Sequence, residues 1–200
     1  KYADAIITQP AISQFHKRKH GNFISIGHPF SSSIYENCVN INTTDEIVII
    51  HAPSDPIGKG SALIRASINK LELKGYKINF IEITGKPHKD VIDVLQKCDF
   101  IVDQVFSDLP MPGFAIEAAW FGKPAVIGGY YVNYIRYDCP PKHIPPSLYC
   151  HPDEITSAIE RLIVDEEFRL ELGKRAQEFV RTKFTPKQVA ERYLQIIEGS

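Results

Sequence analysis

Between Pro112 and Ile127 the chain reads Pro-Gly-Phe-Ala-Ile-Glu-Ala-Ala-Trp-Phe-Gly-Lys-Pro-Ala-Val-Ile, a single carboxylate in an otherwise apolar stretch. A helix from about Phe114 to Phe121 carries alanine or large apolar groups on nearly every face and is expected to be buried between other elements. An acid in such surroundings is protonated or needs hydrogen-bond donors aimed at it. For Glu117 those donors are either neighbouring backbone or an arginine, or the hydroxyls of a ligand. Gly113 falls at the helix start, where a glycine admits close approach and the first-turn N–H groups carry partial positive charge.

Two further loops carry chemistry-bearing residues. His51-Ala-Pro-Ser-Asp-Pro-Ile-Gly-Lys-Gly-Ser61 sets Lys59 between two glycines at a predicted helix start, which suits a phosphate: backbone N–H groups plus one mobile cation. It also reads as a plain strand-to-helix turn with a surface lysine. It is not a P-loop, because Gly60 separates Lys59 from Ser61 and Pro53 stands where the first glycine belongs. A dinucleotide fingerprint would need glycine at Ile57 or Leu63. Thr84-Gly85-Lys86-Pro87-His88 is a second turn into a helix.

No Gly-x-Ser-x-Gly elbow and no His-Glu-x-x-His helix occurs, and no residue is assigned a catalytic role. His28, His51, His88, His143 and His151 are dispersed, and a lone histidine reads first as a loop or satisfied core residue. Cys139, His143, Cys150 and His151 could be drawn as a zinc set, but their spacing fits none of the usual ligand knuckles, so no metal site is expected.

These loops need a scaffold, and the chain supplies one. Short β-like runs alternate with amphipathic stretches, the pattern of an α/β fold with a Rossmann-like parallel sheet and helices on both faces. An opening strand at 2–8, a helix to about Lys19, a strand at 22–27 and a serine- and asparagine-rich loop form a lead-in over residues 1–42. From 43 to 200 the pattern predicts strands at Glu46–His51, Lys77–Ile83, Asp99–Val102, Pro124–Ile127 and Leu148–Cys150. Helices follow at Gly60 to about Leu73, with Gly75 as terminator, at Pro87–Lys97 and over the Glu117 segment. Beyond His151 the chain reads as an all-helical tail: Ile155, Ala158, Ile159, Leu162 and Ile163 share one face, and Phe179, Val180, Val189, Tyr193 and Ile197 continue the stripes. Residues 128–146 show no clear period. In such a sheet ligands sit outside the carboxyl ends of the strands, where all three loops fall.

Composition agrees with a single sizeable core: 200 residues, 44% hydrophobic, formal net charge −1. That charge offers no general field for nucleic acid or anionic lipid. The one dense basic run, His16-Lys-Arg-Lys-His20, reads as the solvated C-terminus of a helix. No apolar run is long enough to span a bilayer and no signal peptide opens the chain, so a cytoplasmic protein is expected. Four scattered cysteines (Cys38, Cys98, Cys139, Cys150) read as reduced thiols. The first residue is Lys1 and a strand begins almost at once, as in a trimmed chain or the tail of a longer protein.

From about Glu46 to its end the chain resembles the C-terminal, donor-binding domain of the GT-B retaining glycosyltransferases, the large family 4-like group that uses nucleotide-diphosphate sugars. In that group a strand leads through Lys-Gly into a helix, here Lys59-Gly60. Two βα units later comes Gly-Phe-Gly-x4-Glu-Ala-x-Ala-x-Gly-x-Pro-Val, matched by Gly113-Phe114-Ala115, Glu117-Ala118, Gly122, Pro124 and Val126. A late helix pair matches at Arg181-Thr-Lys-Phe184-Thr.

The resemblance implies that Lys59 meets the diphosphate, that the Gly113-Phe114 backbone receives phosphate and that Glu117 accepts from the ribose hydroxyls. Gly60, Ser54, Thr84 and Gly85 are further donor-contact candidates. It departs at Leu109, where the family often has a second, sugar-touching glutamate, at Asp55-Pro56, where an arginine often stands, and at Ala115. The Gly113–Glu117 spacing is also shorter by two. By this resemblance the chain is one half of a two-domain enzyme that moves a sugar from a nucleotide-diphosphate sugar, without a cofactor or metal, to a glycan or lipid-linked acceptor. The acceptor would be held by an N-terminal domain missing from this chain, which alone would be inactive; the parent enzyme would serve polysaccharide biosynthesis, with peripheral membrane association and no nucleic-acid partner. Two alternatives stay open: a non-catalytic α/β interaction module that has lost the donor site, and a sugar-nucleotide epimerase of the same fold.

Overall fold

The computed structural model describes residues 5–8, 20–31 and 45–199. The lead-in helix ending near Lys19, all but the last residue of the basic run, and Cys38 lie outside the described residues.

The lead-in contributes two short parallel strands, β1 (Ile6–Thr8) and β2 (His20–Asn22), followed by a one-turn helix, α1 (Phe23–Ile26). The strand expected at 22–27 therefore ends at Asn22. Asn-Phe-Ile-Ser-Ile-Gly alternates like a strand, but its ends are helix signals. The Asn22 side chain accepts from the Ile24 N–H at 2.9 Å, and the Gly27 N–H closes the turn onto Phe23 O at 2.9 Å. Capping at both ends outweighs the β preference of the two isoleucines.

The rest is one open sheet with its helices. In chain order it runs β3 (Ile47–His51), α2 (Ser61–Leu73), β4 (Ile78–Glu82), α3 (His88–Leu95), β5 (Phe100–Gln104), α4 (Gly113–Trp120), β6 (Ala125–Gly128), α5 (Ile135–Asp138) and β7 (Leu148–Cys150). The chain then continues as α6 (Ile155–Val164), α7 (Glu166–Lys183) and α8 (Pro186–Glu198). The five strands are all parallel, in the order β4-β3-β5-β6-β7. The expected strands and helices stand within a residue or two of their predicted bounds. Pro87 caps α3 rather than lying in its first turn.

Strand alternation explains the two-faced core. Val48, Ile50, Ile101, Ala125 and Ile127 point to one face, where they meet Ile92 and Leu95 of α3 and Ala115, Ile116, Ala118 and Ala119 of α4. Ile49, Phe100, Val102 and Val126 point to the other, against Ile64, Ile68 and Leu71 of α2 and Ile155, Ile159 and Leu162 of α6. Helix α7 serves both clusters, giving Leu172 to one and Ala176 and Val180 to the other. It lies so close to the end of α4 that a Cβ at Gly173 would stand 2.1 Å from Gly122 O.

The lead-in is tied to the C-terminal helices. Arg192 Nη1 donates to Ile26 O at 2.7 Å and to Lys183 O at 2.8 Å, and the Phe30 N–H donates to Phe184 O at 2.8 Å. Residues 128–146, patternless in the sequence, are anchored by Ile135 and Cys139, which pack with Ile24 of α1.

Candidate functional site

The strand order reverses between β3 and β5: the chain leaves β3 toward one edge and returns to build the other side from β5. In an open parallel sheet ligands usually sit outside the carboxyl ends of the strands at such a reversal, here the loops that follow β3 and β5. His51 ends β3, and Asp103 and Gln104 end β5.

The turn after β3 is built by its own backbone. The Lys59 N–H donates to Asp55 O, the Gly60 N–H to Ile57 O and the Ser61 N–H to Pro56 O, at 2.9, 3.1 and 2.9 Å. Asp55 Oδ1 accepts from the Ile57 N–H at 3.1 Å, and the Val105 N–H donates to Lys59 O at 3.0 Å, docking the turn onto the end of β5. Gly60 is required twice over. Its φ is +75°, and a Cβ there would lie 2.7 Å from Val105 Cβ.

Lys59 is not the mobile cation its loop suggests. Its Nζ donates to Asp103 Oδ1; the lysine side chain is 18% exposed and the aspartate 0%. The second oxygen, Asp103 Oδ2, is buried with no hydrogen-bond partner. The lysine side chain stays partly exposed while one of its three N–H donors is held by Asp103.

His51 lies beneath the same turn. Its Nδ1–H donates to Val102 O at 2.7 Å, and its Nε2 accepts from the Ser61 hydroxyl at 2.8 Å. That tautomer is neutral, and burial pushes the imidazole below its ordinary 6.5. The ring therefore clamps the first residue of α2 to the central strand.

The two remaining loops meet across the opposite face. Pro112 starts α4 with no side-chain cap, Gly113 is exposed, and a Cβ built on it would meet nothing within 4 Å. The helix N-terminus thus opens onto free space, with Phe114 half-buried beside it. One turn on, Ile116 and Ala118 are buried, and Glu117 emerges between them with its side chain 18% exposed. His88, the first residue of α3, donates from Nε2 to Glu117 Oε1 at 2.7 Å; its side chain is 54% exposed. This imidazole is therefore a protein partner of the acid. Ser54, Thr84 and Gly85 are exposed on the same edge.

Between β5 and α4 the loop is held by Gln104, whose Nε2 donates to Ser107 O and Leu109 O at 3.0 and 3.1 Å. Asp108 Oδ1 accepts from the Tyr131 N–H at 2.8 Å, joining this loop to the one after β6.

Lys59 and Gly60, the Gly113-Phe114 start and Glu117 thus share one edge of the sheet, but Lys59 and Glu117 meet separate partners. Asp103 was not singled out from the sequence, although an acid in the buried run Phe-Ile-Val-Asp-Gln raises the same question as Glu117. The drawn zinc set does not assemble. Cys139 Sγ lies 3.6 Å from Ser25 Oγ, Cys150 Sγ faces Ile127 O, and His151 caps its own short helix. Among the described residues no three His, Cys, Asp or Glu side chains are grouped to hold a metal ion. Burial pushes the Cys98 and Cys150 thiols up to about 12, which leaves them inert. No described helix is long and apolar enough to cross a membrane.

No family model matches the sequence, and no curated protein matches it. Solved structures do. S. aureus TarM, a mutant in complex with fondaparinux, alpha-GlcNAc-glycerol and UDP, aligns at a TM-score of 0.61 with 13% identity, over 96% of this chain and 43% of its own. WaaG, a glycosyltransferase involved in lipopolysaccharide biosynthesis, aligns at 0.57 with 14% identity, over 98% and 62%. Anabaena HepE in complex with UDP aligns at 0.55 with 13% identity, over 97% and 54%. The chain therefore spans about half the length of the structures it matches. At such identities the likeness bears on architecture alone, and it establishes that architecture: the chain has the Rossmann-like fold of one half of these GT-B structures.

Proposed function

We propose that this chain is the donor-binding domain of a retaining glycosyltransferase, moving a sugar from a nucleotide-diphosphate sugar to a glycan or lipid-linked acceptor. The observation that supports the reading is the placement, beyond the carboxyl ends of the neighbouring strands β3 and β5, of a partly exposed lysine, an uncapped helix N-terminus in open space and a half-buried carboxylate. The fold in which they converge is one that TarM and HepE share, each in complex with UDP.

Each group then has a task. The first-turn N–H groups of α4 at Gly113 and Phe114 point donors and partial positive charge at a phosphate. Lys59, fixed by Asp103, supplies further N–H donors to the diphosphate. Glu117 accepts from the vicinal hydroxyls of the ribose. Residues 43–200 form this domain, and 1–42 are the lead-in from, or crossover to, an acceptor-holding domain. Transfer needs both walls of the cleft, because positioning donor against acceptor is a large share of the rate. The isolated chain is accordingly a binder without turnover, and the parent enzyme works at the cytoplasmic side of polysaccharide assembly.

A second reading, a non-catalytic module, draws on one observation: the charge of Lys59 is already balanced by Asp103. Calorimetric titration of the chain with uridine, guanosine and adenosine diphosphates separates the two. The donor-site reading expects one of them to bind, and binding to weaken in Glu117→Gln. A folded chain that binds none of the three is the non-catalytic module.

A further inference from the structure

Resting on the assignment of Glu117 to the donor ribose, we infer that His88 is a positioning residue for that ribose, holding the Glu117 carboxylate in the orientation that reads the vicinal diol.

The contact joins two elements that cannot drift apart. Ile92 and Leu95 of α3 are buried in the same cluster as Ala115, Ile116 and Ala118 of α4, so the two helices are packed on one core. His88 opens α3 directly after Pro87, whose φ of −54° and ψ of 143° set the direction of entry. From there Nε2 lies 2.7 Å from Glu117 Oε1. A carboxylate presents about four acceptor positions over its two oxygens, of which the imidazole takes one.

An unrestrained glutamate has three side-chain torsions to fix on binding; one already held by a packed neighbour loses less freedom when the ligand arrives. With the imidazole bonded to it, the Glu117 side chain stays 18% exposed. Discrimination follows from the same geometry. A site built to accept from hydroxyls is left with an unmet acceptor when the ligand lacks them. The His88–Glu117 pair thus selects a ribonucleotide over a form lacking both hydroxyls.

The test titrates the chain with whichever of uridine, guanosine or adenosine diphosphate it binds tightest, and with the 2′,3′-dideoxy form of that nucleotide. Wild type is compared with His88→Ala and His88→Gln, with thermal melts confirming that each variant folds. The expected result is a weakening of about fivefold for the ribonucleotide in His88→Ala, the worth of about one net hydrogen bond, with no change for the dideoxy form. In His88→Gln, whose amide can donate in place of Nε2, the ribonucleotide affinity returns. Equal loss for both ligands, no loss, tighter binding or failure of glutamine to restore affinity overturns the inference while the donor-site reading stands. A wild-type chain that binds no diphosphate removes that reading and the inference with it.

Discussion

Asp103 ends the central strand with its side chain wholly buried, and its recorded polar partner is the Lys59 ammonium. Breaking such a pair from one side leaves an uncompensated buried charge, whereas removing both charges does not. Lys59→Ala is therefore expected to lower stability by about 3 kcal/mol, and Lys59→Met with Asp103→Asn to recover most of it. Denaturant unfolding reads both, and equal stability of the single variant and wild type contradicts the burial argument. This matters for binding studies, because loss of affinity in Lys59→Ala alone would mix the loss of the proposed phosphate contact with a loosened turn. His51 makes a second residue-scale statement. Its folded-state value is depressed by burial, so the unfolded chain takes up the proton first and acid favours unfolding. Stability attached to this group is present above pH 6.5, its unfolded value, and is lost as pH falls through the lower folded one. Thermal melts between about pH 5 and 8 should show a declining midpoint on the acid side, with a shallower decline in His51→Asn. An unchanged slope in that variant assigns the pH dependence elsewhere.

Among the elements, α4 carries the most of the account. It is short and has apolar residues on most faces, and its position depends on how closely α7 approaches its end. Gly173→Ala would force a Cβ to within 2.1 Å of Gly122 O, so α7 must move away. A loss of about 2 kcal/mol is expected, from overpacking against backbone that cannot yield. Gly113→Ala, by contrast, meets open space and should leave stability within about 0.5 kcal/mol. Measured side by side in denaturant, equal effects of the two substitutions contradict the packing described for α4. The helix itself was legible in the sequence, because seven residues with alanine, aromatic or aliphatic side chains between Pro112 and Gly122 leave few other readings. Its acid's partner was not. His88 and Glu117 are 29 residues apart, and Lys59 and Asp103 are 44 apart. Each pair joins two elements that only the strand order brings together.

At the scale of the molecule, the sheet was the most readable feature. Ile47–His51 and Phe100–Gln104 are nearly continuous apolar runs because both faces of a central parallel strand are covered. What the runs do not encode is their lateral order, and with it the reversal between β3 and β5. Residues 22–27 misled for a local reason: a one-turn helix with an alternating sequence looks like a strand until its caps are counted. The late helices, read from their stripes, close the core on both faces and bring Arg192 back to Ile26 of the lead-in. The proposed donor site is thus a property of the assembled sheet rather than of any one motif. The most direct measurement is an amide NMR titration of the chain with the diphosphate it binds tightest. The account predicts that the largest shift changes fall on Lys59, Gly60, Gly113, Phe114 and Glu117 together. Saturable binding with its shifts confined to another face of the molecule would contradict it.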